Sequence, residues 1–485
     1  MEFSGEAVAT PLTTSARVRQ DRVADRLEPS PMVSGITVNT AIGRYHDLLT
    51  GEIAADSQAQ LDEQLRRRGL FFGDRPICTV LRPRFLTPDQ YELIRRSMSA
   101  LLRAFDRALD AAVADPQFRT QFGLTEWEET LVREDPGFRS ASPTSRIDTF
   151  FAPDTGQLLL TEYNAETPAA IAYNDVMTEA FFGLPIAREF LRLYQMRPLP
   201  GRHNLTHALL DAYHQWRGRR EKPRIAILDW REVPTFSEFV LFNEYFISQG
   251  LQSVIADPRE VEYRGGRLWA AGAPVDLIYK RVLLSELIDR GGIDHPVVRA
   301  VRDRAVCMVN PFRCKILHKK ASLAVLSDER NAGLFRADER RAIAAHIPWT
   351  RRVEERRTQY QGRPVDLVPF TVQERERFVL KPDDEYGGKG VVLGWETSAA
   401  DWERAVHAAI EERAIVQERV PIPREPYPSV VEGRVHVSDR MLDTNPYVYY
   451  GSLVDGCMTR LSTAALLNVS AGGGSTLPTV IIEER

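Results

Sequence analysis

The chain has 485 residues, of which 43% are hydrophobic and 27% charged, and its formal net charge is −4. This composition excludes fibrous and wholly disordered proteins, and the balanced charge excludes the broad basic surface of a general nucleic-acid binder. No apolar window of ~20 residues and no signal-peptide pattern occurs, so we expect a cytoplasmic protein that does not associate with membranes.

The first part of the chain divides into two predicted regions. Residues 1–35 are rich in Ser, Thr, Pro and charged residues, which predicts a mobile N-terminal arm. Residues 36–140 predict a helical region, because apolar residues recur at helical spacing after the helix-start signal at Thr87.

Residues 141–221 predict a β-hairpin followed by helix, since two alternating stretches flank a tight turn. Residues i and i+2 of a strand share a face, which pairs Arg146 with Asp148 and Glu162 with Asn164. Two carboxylates and an amide beside one guanidinium are hard oxygen donors that suit Mg²⁺. The competing interpretation is a salt-bridged hairpin on the surface.

Residues 222–310 predict an α/β substrate domain, because strand, helix and strand alternate as they do around a parallel pair. Loops at the carboxyl ends of parallel strands commonly bind ligands, which makes Arg231 and Arg281 candidates for binding a substrate carboxylate. Surface pairing of these arginines is the alternative. His203 and His207 could share a helical face, but they lack the glutamate of a His-Glu-x-x-His zinc motif.

Residues 311–485 contain a strand that ends at Lys381 and runs into a glycine-rich loop. The loop comprises Gly387, Gly388, Lys389 and Gly390. Glycines permit the close backbone approach that a phosphate needs, and a lysine adds a point charge. The loop is neither a P-loop nor a dinucleotide fingerprint, and a surface hairpin with a glycine turn is the alternative.

Other features of this region are less specific. Residues 327–363 are charged and interrupted, which predicts a solvated helical face, and two strands are predicted near 429–437 and 446–453. A late arginine and a glycine-rich loop suggest a further anion site. That site comprises Arg460, Asn468, Gly472 and Gly473.

Together these motifs resemble the ATP-grasp superfamily, and more narrowly its circularly permuted branch, which includes glutathionylspermidine synthetase-like enzymes. In that branch Arg-x-Asp and Glu-x-Asn-x-x-x-Pro motifs precede the nucleotide lysines, as Arg146-x-Asp148 and Glu162-x-Asn164-x-x-x-Pro168 do here. The resemblance implies an α/β (α+β) fold with a permuted ATP-grasp core, and it implies that Asp148, Glu162 and Asn164 bind Mg²⁺.

The same resemblance implies how ATP and the substrate would be held. Lys319-Lys320-Ala321 resembles the first nucleotide-binding lysine in its usual context, which favours Lys320 over Lys319. Lys381 resembles the second such lysine. The hinge strand that contacts adenine is matched by Gln417, Glu418 and Val420. The Arg…Asn-Leu-x-x-Gly-Gly loop of glutathione synthetase is matched by Arg460, Asn468, Gly472 and Gly473.

The activity that this resemblance implies is ATP- and Mg²⁺-dependent ligation. A carboxylate on a small molecule or peptide would be joined to an amine or thiol through an acyl phosphate, with release of ADP and phosphate. Arg146 and Arg460 would stabilise the developing charge. Two alternatives remain: a phosphotransferase that uses the same nucleotide site, and a non-catalytic nucleotide-binding protein.

Overall fold

A computed structural model describes residues 37–72, 74–385, 387–463 and 474–485. Its helices are α1 (Val38–Leu48), α2 (Gly51–Arg67), α3 (Pro88–Ala114), α4 (Pro116–Arg119), α5 (Glu126–Leu131), α6 (Ile171–Gly183), α7 (Pro185–Phe190), α8 (Arg202–Arg217), α9 (Phe236–Ser248), α10 (Leu284–Gly291), α11 (Pro296–Arg302), α12 (Cys314–His318), α13 (Ala321–Ser327), α14 (Ala337–His346), α15 (Leu367–Gln373) and α16 (Ala399–Glu411).

Its strands are β1 (Phe71–Phe72), β2 (Arg75–Pro76), β3 (Arg84–Leu86), β4 (Thr144–Ala152), β5 (Gln157–Asn164), β6 (Tyr194–Arg197), β7 (Arg224–Leu228), β8 (Gln252–Ala256), β9 (Glu262–Arg264), β10 (Arg267–Ala270), β11 (Ala273–Val275), β12 (Leu277–Lys280), β13 (Cys307–Val309), β14 (Thr350–Arg352), β15 (Arg357–Tyr360), β16 (Arg363–Asp366), β17 (Phe378–Lys381), β18 (Val392–Leu393), β19 (Ile415–Glu418), β20 (Arg424–Val431), β21 (Arg434–Leu442), β22 (Asn445–Tyr449), β23 (Leu453–Ser462) and β24 (Ser475–Glu484).

A nine-stranded sheet forms the centre of the molecule. Six strands lie in the order β20-β21-β23-β22-β4-β5, and β24 joins β23 to β3 and β6. The sheet therefore combines strands from three of the regions that the sequence separates, including β3 from the region predicted to be helical. Helix α3 does form there: Thr87 caps its first turn, and its apolar face contributes ten buried apolar residues to the core.

The predicted hairpin is present as β4 and β5, and its register sets the geometry of the site. Arg146 lies opposite Asn164, and Asp148 lies opposite Glu162. Directly opposed residues of an antiparallel pair project from the same face of the sheet. All four side chains therefore share one face, as the alternation of the sequence predicts.

A second, four-stranded sheet faces this hairpin, in the order β14-β19-β17-β18. Its outer side is covered by α15 and α16. These helices and the sheet share a separate apolar core that includes Trp402 of α16 and Phe378 of β17. The glycine-rich loop connects β17 to β18, which are antiparallel neighbours. The loop therefore connects two strands at the edge of this sheet and does not lead into a helix.

The middle of the chain forms the α/β unit that the sequence predicts. Its four strands are parallel and lie in the order β13-β12-β7-β8. A small antiparallel sheet of β9, β10 and β11 packs beside it, and the unit has its own apolar core around Trp230 and Phe312.

Two predictions in the last third of the chain are wrong. The strands expected at 429–437 and 446–453 are each split by a turn, at Glu432-Gly433 and near Gly451, so each predicted strand covers parts of two. Residues 327–363 are not one solvated helical face, because they contain α14 and three strands. Glu339 there is fully buried against Arg107. The arm predicted at 1–35 lies outside the described residues. Among those described, no helix is both long and apolar enough to cross a membrane.

Candidate active site

A cleft lies between the nine-stranded sheet and the four-stranded sheet, with an empty volume of about 1030 Å³ including its opening to solvent. Asp148 and Glu162 of the hairpin form part of its floor. Nine other residues singled out in the sequence also line it: Lys320, Lys381, Gly387, Gly388, Lys389, Gln417, Glu418, Val420 and Arg460. Residues from six separate stretches of the chain therefore converge on one space.

Asp148 is held between two arginines. Arg146 donates to both carboxylate oxygens, at 2.7 and 3.0 Å, and Arg460 Nη2 donates to Oδ2 at 2.7 Å. Burial alone would raise the pKa of Asp148, but the two guanidinium charges outweigh it and lower that pKa to about 2. Asp148 is therefore ionised at neutral pH, with most of its acceptor capacity already in use.

Glu162 and Asn164 provide the more available oxygen atoms. Glu162 is partly exposed, and its Oε1 lies 3.0 Å from Lys320 Nζ. Burial opposes ionisation of Glu162, but the charge of Lys320 lowers its pKa overall. A hydrogen bond from the side-chain amide of Asn164 contributes to the lowered pKa of Asp148, so this amide lies against that carboxylate. Two carboxylates and an amide on one sheet face are a donor set that fits a hard divalent cation such as Mg²⁺.

The two adjacent lysines point to different places. Lys319 lies in the extended break between α12 and α13, so its side chain and that of Lys320 diverge. Lys320 Nζ contacts Glu162 and the carbonyl of Glu385 at 2.6 Å. Lys319 Nζ instead lies 2.9 Å from Glu128, in the buried interior. Of these two adjacent lysines, Lys320 is therefore the one that lines the cleft.

Lys381 projects into the cleft from the end of β17. Its Nζ donates to Gln417 Oε1 at 2.7 Å and to the carbonyl of Thr161 at 3.2 Å. Gln417 is itself held by Thr350, to which its amide donates at 3.0 Å. Burial lowers the pKa of Lys381 to about 8, because Glu162 only partly offsets the lost hydration.

The glycine-rich loop adopts backbone conformations that other residues rarely take. Gly388 and Gly390 have φ angles of +76° and +71°. A Cβ on Gly390 would lie 2.7 Å from Cγ of Pro382. Lys389, the charged residue of the loop, forms an ion pair with Glu385 at 2.9 Å. Glycine at 390 therefore permits both the turn and its close contact with the preceding strand.

Asp443 is a site residue that the sequence analysis missed. It accepts from the backbone N–H of Arg460 at 2.8 Å and from its Nε at 2.7 Å, so it fixes the guanidinium that reaches Asp148. Burial raises the pKa of Asp443, although Arg460 opposes that effect. Asp443 lies between β21 and β22, and the pairing of both strands with β23 places it opposite Arg460. Those strand boundaries were not predicted. Trp395, which stacks on Arg419 at 4.2 Å, was missed as well.

Several predicted site residues are not in the cleft. Arg231 is exposed and pairs with Glu260, outside the cleft. Arg281 is buried, donates to the carbonyl of Pro168 and lies 3.4 Å from Glu238. Arg231 thus forms the surface ion pair that was the alternative for it, and neither arginine lines the cleft. Substrate binding by either arginine stays a prediction. Arg146, Asn164 and Gly390 are close to the cleft but are not among the residues that line it. Asn468, Gly472 and Gly473 lie outside the described residues.

Comparison with known proteins gives a likeness in structure but none in sequence. No family profile and no curated protein sequence matches this chain. A glutathione synthetase-like effector from Globodera pallida superimposes with a TM-score of 0.57 and 12% identity, covering 88% of this chain and 96% of that one. D-Alanyl-alanine synthetase A from Vibrio cholerae matches at 13% identity over 45% of this chain and 67% of its own, but a TM-score of 0.22 carries no weight. The chain therefore shares the overall fold of the glutathione synthetase-like effector, and at this identity the likeness extends to the fold alone.

Proposed function

We propose that this chain is an ATP- and Mg²⁺-dependent ligase that joins a carboxylate to an amine or thiol and releases ADP and phosphate. The motif order of the permuted ATP-grasp branch supports this proposal. One observation carries it: the acidic hairpin, Lys320, Lys381, the glycine-rich loop and Arg460 line a single cleft between two sheets.

ATP would lie in this cleft with its phosphates toward the lysines. Lys320 and Lys381 would exchange their present contacts with Glu162 and Gln417 for phosphate oxygens. The backbone of the glycine-rich loop would approach the triphosphate from the other sheet. Such binding suits phosphoryl transfer, which depends on positioning and charge stabilisation more than on a protein nucleophile.

The residues that would hold Mg²⁺ are Asp148, Glu162 and Asn164. When bound, the ion would neutralise and orient phosphate oxygens. Of the three side chains, Asp148 has the least acceptor capacity left, because two arginines already donate to it. Glu162 would have to leave Lys320 in order to bind the ion.

The reacting group would lie near Arg146 and Arg460, the two guanidiniums that share Asp148. A substrate carboxylate would attack the γ-phosphorus, and the bond from that phosphorus to ADP would break. The amine would then attack the acyl carbon of this acyl phosphate, losing a proton as phosphate departs. Positively charged groups fixed beforehand lower the barrier to such steps, because they need not reorganise.

Residues 222–310 would contribute to substrate binding on the far side of Arg146. Arg281 of that unit donates to the carbonyl of Pro168, and Arg146 donates to that of the next residue, Ala169, at 3.2 Å. The two guanidiniums therefore flank one short segment of backbone. A substrate that reaches Arg146 would pass close to this segment.

The test is ADP release from Mg²⁺-ATP in the presence of a panel of amino acids, short peptides and polyamines, with products identified by mass. An amide or thioester product supports the ligase. A phosphorylated product without a new C–N or C–S bond would favour the phosphotransferase. ATP binding without any ADP release across the panel would favour a non-catalytic protein. Lys381→Ala is the matched control, because weaker ATP binding in this variant should lower any activity that belongs to this cleft.

A further inference from the structure

A second cavity lies away from the nucleotide cleft, between α8 and α9, with an empty volume of about 830 Å³ including its opening. Three histidines of α8 line it: His203, His207 and His214. Tyr245 and Gln249, at and just beyond the end of α9, line it as well. None of these residues belongs to the set that lines the cleft.

His203 and His207 are one helical turn apart, and their rings are in contact. The ring centroids lie 4.4 Å from each other, with the planes inclined at 60°. Both side chains are exposed. In the part of the chain that the structure describes, neither imidazole has a hydrogen-bond partner, so all four ring nitrogens are available.

His214 provides a contrast on the same helix. Its Nε2 lies 3.1 Å from the carbonyl of Glu221, which ties the ring to the loop after α8. That contact gives His214 a structural role in holding the end of the helix. His203 and His207 have no comparable contact, although they lie side by side at a spacing that suits chelation.

We propose that His203 and His207 together bind a divalent transition-metal ion such as Zn²⁺, with water completing its coordination. Tetrahedral Zn²⁺ with Zn–N bonds of about 2.0–2.1 Å requires two nitrogens about 3.4 Å apart. Exposed rings whose centroids are 4.4 Å apart can reach that separation by rotation about χ2. Imidazole nitrogens suit Zn²⁺, Ni²⁺ and Cu²⁺, whereas Mg²⁺ prefers the oxygen donors of the cleft, so the two sites select different ions.

The experiment is calorimetric titration of the full chain with ZnCl₂ in excess Mg²⁺, which occupies hard oxygen sites. One Zn²⁺ per chain is expected. His203→Ala and His207→Ala should each weaken binding by at least about tenfold, the scale on which even a supporting residue matters at a metal site. His214→Ala is the matched control and should bind like the parent chain.

Three outcomes would overturn the proposal: no Zn²⁺ binding by the parent chain, equal binding by all four proteins, or a loss in His214→Ala as large as in the other two variants. Circular dichroism should show that the variants remain folded, which is expected because His203 and His207 are exposed and His214 is only half-buried. Zn²⁺ binding at this site does not depend on ATP binding, so the experiment tests this proposal separately from the ligase proposal.

Discussion

Two groups of lysines and carboxylates lie back to back in this protein, and they differ in how completely their lysines are paired with carboxylates. In the cleft, Lys320 pairs with the partly exposed Glu162, and Lys381 has only uncharged partners. Behind the cleft is a second group, the sealed network. It consists of the buried residues Glu128, Glu166, Lys280, Lys315 and Lys319, together with the partly exposed Asp384.

In the sealed network every lysine has a carboxylate partner. Lys315 Nζ lies 2.6 Å from Asp384 and 3.1 Å from Glu166, and Lys280 reaches the same Glu166 at 3.1 Å. Burial opposes ionisation of Glu166, yet the lysines hold its pKa far below the usual range. The network links the middle domain, α12 and the stem of the glycine-rich loop. The comparison teaches that charges with fixed partners support the fold, whereas charges that can exchange partners are available to a ligand.

The largest effect is expected from a substitution in the sealed network. Lys315→Met should destabilise the chain by about 3–5 kcal/mol, because it leaves Asp384 without its cation and the buried Glu166 with only one of its two lysines. The measurement is urea unfolding followed by tryptophan fluorescence. Lys320→Met is the matched control and should cost much less stability, since water can reach Glu162. Equal losses in the two variants would contradict the distinction between the two groups.

The next effect concerns Arg146, which lies at the boundary between the two groups. Arg146→Ala should lower kcat for ADP formation by about 10²- to 10³-fold, the scale for one lost electrostatic donor. Arg460 would still hold Asp148, so the fold should survive. ADP release at saturating substrate measures the effect. A change in ATP affinity with unchanged kcat would place Arg146 outside the reacting region.

Removal of Lys381 should affect ATP binding rather than stability. Lys381→Ala should weaken ATP binding by about 10- to 100-fold, because charge-assisted hydrogen bonds contribute about 1.5–3 kcal/mol. Calorimetric titration with ATP and Mg²⁺ measures the change, and the melting temperature should fall little. Exposed Lys389→Ala is a comparison for the loop, with a smaller expected loss. Parent-like ATP affinity in Lys381→Ala would remove this lysine from the site.

A smaller effect follows from the protonation of Lys381. Its pKa in the empty cleft is about 8, below its ordinary value, because burial disfavours the charged form. Below pH 8 the charged lysine costs stability, and this cost is relieved as the pH rises from about 8 toward the unfolded value near 10.4. Bound phosphate would favour the charged form, so ATP binding at pH 8.5 should take up a fraction of a proton. Titrations in buffers of different ionisation enthalpy measure this uptake, which Lys381→Arg should abolish.

The smallest effect is expected at Arg231. This side chain is exposed and pairs with Glu260 at the surface, where ion pairs contribute little. Arg231→Ala should therefore leave both the melting temperature and the KM for ATP within experimental error. A clear rise in the KM of the carboxylate substrate would instead restore the role that the sequence assigns to this arginine.

The sequence predicted the hairpin well because period-two alternation and a short turn determine both face and register. That is why Asp148 and Glu162 were expected together, and the register places them so. The strand that ends at Lys381 was predicted equally well, because a short apolar run leads into a glycine-rich loop. These patterns involve residues that are neighbours in the sequence, so they predict local backbone geometry.

Other features depend on contacts between distant parts of the chain. Sequence favoured Lys320 over Lys319 only by resemblance, because two adjacent lysines carry the same local signal. No sequence pattern marked Asp443, because it meets its partner Arg460 only through strand pairing. The turns at Glu432-Gly433 and Gly451 were passed over within apolar stretches, so four strands were interpreted as two. Contacts between distant parts of the chain determined these features, and no short window of sequence contains that information.

Strand β24 has a consequence for the order in which the molecule can form. It pairs with β23 through Thr459 and with β3 through Arg84, so it connects residues nearly four hundred positions apart. A chain emerging from the ribosome cannot complete this sheet until residues 475–484 have been synthesised. Until then β3, β6 and β23 each lack a neighbour on one side, and unpaired edges of this kind invite aggregation. We therefore expect nascent chains that stop before Ser475 to be held by chaperones, whereas full-length chains are released from them.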